Sequence, residues 1–294
     1  MFSHHGMKSW STLLAALLSI ALIAGCAGRR AEWGDPRTGL VMTYRMPESG
    51  ALRYQMSADS TQKLEVPGQP VTVTGTKTTE FSVQPLGLEQ SNHRLRITMD
   101  AIDVSIDAPQ YGITPDTSDV PGKHFEMLLS PLGEEREFSG AYAIQFDMGP
   151  DGKHNVGADF QGFFPDLAGR PVRVGDTWTT TDTITDKRER GDALIRLESV
   201  NTLAAIETVD GMPCAKVTAA LTGTIEGKSK VQNAELVIRG EFEGVETWYF
   251  AYRAGQLVKS EIEVHTTGTV AASAPQQVTI PMTQDLKISS RLLR

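Results

Sequence analysis

Cysteine is nearly absent: the 294 residues contain two, Cys26 and Cys214. That excludes a disulfide-stapled framework and a thiolate metal cluster, both of which need several cysteines at set spacings. The strong catalytic signatures are missing as well. There is no His-Glu-x-x-His, no Gly-x-Ser-x-Gly elbow, no P-loop and no Gly-x-Gly-x-x-Gly. The six histidines are scattered, and none lies close to Cys214 in sequence to serve as its base. Basic charge is scarce, with 28 Lys and Arg against 36 Asp and Glu. Phosphate backbones demand a basic footprint, so nucleic acid is not an expected partner. An acidic body gains nothing from anionic headgroups either, so any membrane attachment must come from elsewhere.

Long apolar runs are also lacking, apart from residues 13–24, which are broken only by Ser19. A run of about 12 residues is roughly 18 Å long as a helix, too short for the ~30 Å hydrocarbon core. With Lys8 in front of it, it reads as the apolar region of a secretory signal, and Met7-Lys8 is the more usual start for one. The run ends Leu22-Ile23-Ala24-Gly25-Cys26, which resembles the bacterial lipobox. The resemblance implies a diacylglyceryl group on the Cys26 thiol and cleavage between Gly25 and Cys26. It also implies acylation of the new amine, for instance by palmitate. Two or more acyl chains give stable anchoring. Ala27 stands where an Asp would retain the protein at the inner membrane, so the resemblance also implies sorting to the outer membrane. The alternative is an ordinary cleaved signal with a chance cysteine. Loss of residues 1–25 removes only Lys8 among the charges, leaving 27 bases against 36 acids and a net charge of −9. A lipidated Cys26 leaves Cys214 without a disulfide partner, and Cys214 is expected to be a small buried residue at the start of a strand.

Residues 26–47 contain Gly28, Gly34, Pro36 and Gly39 and read as a tether. From residue 48 onward the apolar period is two. Leu52, Tyr54 and Met56 alternate with polar neighbours, as do Val71 and Val73, then Phe81 and Val83. Leu95, Ile97 and Met99 share one parity, whereas Ile102, Val104 and Ile106 share the other. A β-bulge near Asp100-Ala101 would return both sets to one face. Residues 108–122 read as a long loop, residues 141–146 and 160–167 as short helices, and the last third as a meander with turns at Asp210-Gly211 and Ala254-Gly255. Short connections join antiparallel neighbours. The expected fold is mainly β, one or more large antiparallel sheets as a sandwich or curved half-barrel, with one or two short helices. Residues 48–294 form either one domain or two fused lobes, about 48–140 and 165–294.

The stretch Val174-Gly175-Asp176-Thr177-Trp178, preceded by Pro171, resembles a module of uncharacterised β-rich bacterial envelope lipoproteins, as does the later Trp248-Tyr249-Phe250-Ala251-Tyr252 with Gly255 beyond it. The resemblance covers about the last 130 residues. It implies an envelope domain and no particular activity.

Candidate chemistry is weak. Asp147, Asp151, Gly152 and Asn155 contain parts of a calcium loop, but Gly149 and Ala158 stand where further ligands are needed, so a solvated turn is the better reading. Asp100, Asp103 and Asp107 read as polar residues on the wet face of a strand. Arg190-Gly191-Asp192 reads as a charged hairpin turn rather than an adhesion site. Trp248, Phe250 and Tyr252 point to one side of a strand and read as core, the alternative being a stripe that lines a cavity. No catalytic residue, metal or cofactor is expected. The favoured reading is a non-enzymatic envelope protein, tied to a membrane by lipid on Cys26, that binds a protein partner or an apolar ligand such as a lipid. Either the sheet curves around a ligand, or a solid sandwich offers a surface. A hydrolase built from dispersed carboxylates is the third reading, and it needs two close carboxylates of perturbed ionisation in one pocket.

Overall fold

Alternating side chains make a strand when one face is better covered than the other, and here one parity is the less exposed along most of the long strands. The computed structural model describes residues 33–66, 69–108, 112–231, 234–273 and 278–293. Gly25, Cys26 and the expected signal lie outside the described residues.

Two small strands, β1 (Gly34–Asp35) and β2 (Gly39–Leu40), open the described chain. Next come β3 (Leu52–Leu64), β4 (Val71–Glu89), β5 (Asn92–Asp107), β6 (His124–Leu129) and β7 (Glu135–Arg136). A short ribbon of β8 (Gln145–Asp147) and β9 (Lys153–Asn155) lies in the middle of the chain. The second half is a meander of β10 (Thr177–Arg188), β11 (Gly191–Val209), β12 (Met212–Val231), β13 (Ala234–Ala251), β14 (Gln256–Ala272) and β15 (Val278–Leu293). Eleven strands form one sheet in the order β10-β11-β12-β13-β14-β15-β3-β4-β5-β6-β7, antiparallel throughout and curled into a half-barrel. Of the two expected architectures, the curved half-barrel is the one present. Pairing of β15 with β3, Ser290 opposite Met56, joins the halves of the chain in one sheet.

The phase slip of β5 is a bulge. Phe81 pairs with Met99 and Glu80 with Ala101, so Asp100 is the extra residue. Its carboxylate accepts the Ser82 hydroxyl at 2.6 Å. The extra residue brings Met99 and Ile102 to the same buried face.

The core fills one end of the half-barrel. Phe160, Phe163 and Phe164 come from the chain between β9 and β10 and pack on Tyr54 and Phe81, with the Phe160 and Phe163 rings each 5.0 Å from Phe81. Trp178 meets Trp248 edge-on at 6.1 Å. The segment read as a tether takes part: Leu40, Met42 and Tyr44 are buried, and the Tyr44 hydroxyl donates to Pro165 O at 2.9 Å. The folded body therefore begins before residue 48. The reason is a short period-two pattern, Leu40, Met42, Tyr44 and Met46, set among glycines and prolines.

The helices among the described residues are three 3-10 turns, Phe138–Ala143, Gly149–Asp151 and Gly157–Phe160. Residues 160–167 have helical spacing (Phe160, Phe163, Phe164, Leu167, all buried), yet the only helical residue among them is Phe160, the last of a 3-10 turn. Gly162 sits at φ +89° and Pro165 lacks an N–H. The Gly162 and Phe164 N–H groups donate instead to the Glu135 carboxylate, at 2.6 and 2.8 Å. A side-chain acceptor has replaced the helical ones.

Candidate functional site

The inward face of the sheet changes character along its length. On β3, Tyr54 and Met56 are buried, whereas Ala58, Ser60, Gln62 and Leu64 continue the same face only partly covered. Register carries the change around the curl. One rung runs Ile184, Ile195 and Ile225 across β10, β11 and β12. Another places Phe242 opposite Gly223 on one side and Thr266 on the other, and a third places Val264 between Gly244 and Leu286. These apolar side chains are partly exposed and lie outside the main core cluster. The residues between them on the outward face are mostly polar and more exposed. The Phe242 ring lies over Gly223, where a Cβ would collide with it. Glycine on a concave face removes the side chain that would oppose tight curvature. The half-barrel thus has a filled end and an end whose apolar lining is incompletely covered.

The chain around β8 and β9 links edge strand β10 to the interior strand β4. On the β10 side, Tyr142 Oη donates to Thr185 O at 3.1 Å, and the Gln161 side chain both donates to Thr185 O (2.8 Å) and accepts from Thr185 N (2.9 Å). Glu189 N donates to Lys153 O at 3.1 Å, and Asn155 Nδ2 donates to Lys187 O. These bonds occupy backbone groups that an edge strand would otherwise offer to another chain. On the other side, Asp159 pairs with Lys77 of β4. Beneath this bridge is a slot of about 210 Å³, with Lys77 and Val104 on one wall, Asp186 and Arg188 on the other, and Phe146 and Met148 between. Lys77 is paired with Asp159 and Arg188 with Asp186, so the slot balances its charges internally. A more open cleft of about 400 Å³ lies beside it, lined by Tyr142, Lys153, Lys187 and Glu189 among others.

Four acids whose pKa values are raised form the second notable group. Burial lifts Glu135 to about 8 against the two N–H bonds it accepts, and Asp166 and Asp182 add repulsion. Burial and then Asp182 raise Asp166 to about 6 and Glu246 to about 7. Asp182 itself is raised by burial. Tyr44, buried beside this group, is raised well above the tyrosine range, first by burial. The carboxylates sense one another, yet none of the four lines either cleft. Both Glu135 oxygens are committed to the backbone N–H groups of Gly162 and Phe164.

The residues singled out in the sequence go to separate places. Cys214 is buried against Ala251 and Val258. Trp248, Phe250 and Tyr252 are all buried in the core, and Tyr249 on the opposite face lies under Lys216 Nζ at 5.7 Å from its ring centre. Asp147 Oδ1 accepts Gly149 N and Asn155 Oδ1 accepts Gly157 N, so each caps its own turn. Among the described residues, no group of three or more His, Cys, Asp or Glu is placed to hold a metal. Asp103 and Asp107 are exposed on β5, apart from Asp100 in its bulge. Arg190 lies in the turn between β10 and β11, where Arg188 pairs with Gly191, and its guanidinium donates to Pro150 O. His93 bonds Tyr44 O at 3.1 Å and His265 pairs with Asp285 at 2.7 Å. Sequence reasoning missed the acid group, whose members come from β7, β10, β13 and a loop. A sheet curving around a ligand is among the expected readings, but the lining residues themselves carry little local signal, since on β3 the inward parity runs through the polar Ser60 and Gln62 before Leu64.

No protein-family model matches the chain, and no curated protein matches it. Among solved structures it is similar to a mutant Rh. blastica porin at 9% identity, with 83% of this chain and 100% of that one covered and a TM-score of 0.23. It is similar to Pseudomonas putida OprB at 8% identity, with 83% and 94% covered and a TM-score of 0.21. A putative AttH from Nitrosomonas europaea gives 10% identity, 88% and 97% covered, and a TM-score of 0.16. None of these likenesses is close enough to bear on function.

Proposed function

We propose that this chain is a lipoprotein of the bacterial envelope, anchored at the outer membrane through acyl chains on Cys26, that binds an apolar ligand of the lipid class against the inner face of its curled sheet. The observation that carries the binding is the half-covered lining: Ile184, Ile195, Ile225, Phe242, Val264 and Leu286 lie inward, outside the core cluster. Proteins seldom leave a contiguous apolar surface open without a use for it, and a concave one suits a flexible chain. The anchor rests on the Leu22-Ile23-Ala24-Gly25-Cys26 run. The slot beneath the bridge is small and balances its own charges, and the more open cleft is lined by Lys153, Lys187 and Arg188, so neither suits an apolar ligand as the lining does.

The test is photo-crosslinking in living bacteria that express the full chain, with p-benzoylphenylalanine at position 242. The expected result is a lipid-sized mass added at position 242 and none with the same group at Val245, the exposed neighbour on the outer face. Equal labelling at both positions, or none at 242, would sink the binding reading. Palmitate labelling of the same cells, compared with Cys26→Ser, tests the anchor separately.

A further inference from the structure

We propose that the half-barrel stands end-on to the bilayer, with Leu86, Leu88, Leu132 and Val174 entering its interfacial layer. This rests on the proposed lipid attachment at Cys26. Among the described residues six large apolar side chains are exposed, and four of them are these: Leu86 (40%), Leu88 (70%), Leu132 (41%) and Val174 (54%). They come from three different connections, the β4–β5 hairpin, the β6–β7 turn and the loop before β10. All three lie at the end of the sheet where β3 begins and β4 ends.

The N-terminal segment crosses that same end and ties the three connections together. Leu88 pairs with His93, whose ring bonds Tyr44 O. Tyr44 N donates to Pro131 O, next to Leu132, at 2.9 Å. Arg173, next to Val174, donates to Thr38 O at 3.1 Å. Between Cys26 and Trp33 lie seven peptide steps, which reach about 25 Å at full extension. The strands are far longer: β4 has 19 residues and spans about 60 Å. A lipid on Cys26 therefore keeps this end near the membrane and leaves the opposite loops well away from it. The acids beside the leucines have basic partners, Glu134 with Arg136 at 2.5 Å and Glu89 with Arg94 at 2.6 Å, an arginine that Glu137 shares at 3.2 Å, so their repulsion from headgroups is reduced. The acyl chains on Cys26 already give stable attachment, so apolar insertion sets the orientation of the body rather than its retention.

The experiment uses the full chain, processed in bacteria and reconstituted in vesicles of phosphatidylethanolamine and phosphatidylglycerol. An environment-sensitive dye is attached at Leu88→Cys or, as a control, at Val245→Cys, with Cys214 buried and out of reach. Docking predicts a blue shift and loss of aqueous quenching at position 88, with neither change at 245. The intact mass of each sample reports lipid on Cys26. A lipidated sample whose position-88 dye stays fully quenched overturns the docking and leaves the anchor standing. A sample without lipid overturns the anchor, and the end-on orientation falls with it.

Discussion

The Glu135 carboxylate accepts the backbone N–H of Phe164 at 2.8 Å, so a strand two residues long fixes the course of the aromatic segment that fills the core. With Gly162 N as second donor, both oxygens are used. The bond replaces the helical pairing that the spacing of Phe160, Phe163 and Phe164 would otherwise favour.

Removing that acceptor should be costly. Glu135→Ala leaves two N–H groups at positions 162 and 164 without their partner, beside the buried Phe163 and Phe164. Gly162 is exposed, so water can take over its N–H, and the cost falls mainly on the N–H of buried Phe164; a loss of about 1–3 kcal/mol is expected in urea unfolding. A change below about 0.5 kcal/mol would show that the segment holds itself in place.

The acid group makes a prediction of opposite sign to ordinary acid denaturation. An acid whose folded pKa is raised binds its proton more tightly in the folded chain, so stability falls as pH climbs from the unfolded value to the folded one. Glu135 at about 8, Glu246 at about 7 and Asp166 at about 6 all act this way. The melting temperature should therefore be higher at pH 5.5 than at pH 8, and Glu135→Gln should flatten the difference. A melting temperature that rises over this window would contradict the raised pKa values.

Curvature offers a separate test. A Cβ at Gly223 would collide with Arg196 O and with the Phe242 ring. Gly223→Ala should cost about 1–3 kcal/mol, the range for overpacking, although alanine is otherwise the better residue for an ordered chain. Adding Phe242→Ala should recover only part of the loss, since the clash with the carbonyl oxygen remains. Full recovery in a double-mutant cycle would mean that the ring alone sets the fit.

How much of this was legible in the sequence depends on the range of the interaction. The bulge at Asp100 could be read because parity is local: Met99 and Ile102 cannot share a face without an extra residue. The hairpin at Arg190 was equally local. The joining of β15 to β3 could not be read, because Ser290 and Met56 are brought together by the closing of the sheet and by no nearby signal. The helix expected at residues 160–167 failed for the same reason, since its decisive partner, Glu135, lies 29 residues before Phe164. The acid group gathers from four distant positions, and a sequence pattern has no means of marking that.

The anchor yields a prediction that separates sorting from folding. Serine at position 26 cannot form the thioether that lipid transfer requires, so Cys26→Ser should abolish palmitate labelling and leave the signal uncut by the lipoprotein peptidase. Every strand of the half-barrel lies between Leu52 and Leu293, at least 26 positions beyond Cys26 in the chain. The substitution should therefore shift the melting temperature by less than about 2 °C, the range left by a surface change within ±0.5 kcal/mol. Lost labelling with an unchanged melt would place the role of Cys26 in attachment alone. Retained labelling would remove the anchor, and a large drop in melting temperature would make residue 26 part of the fold.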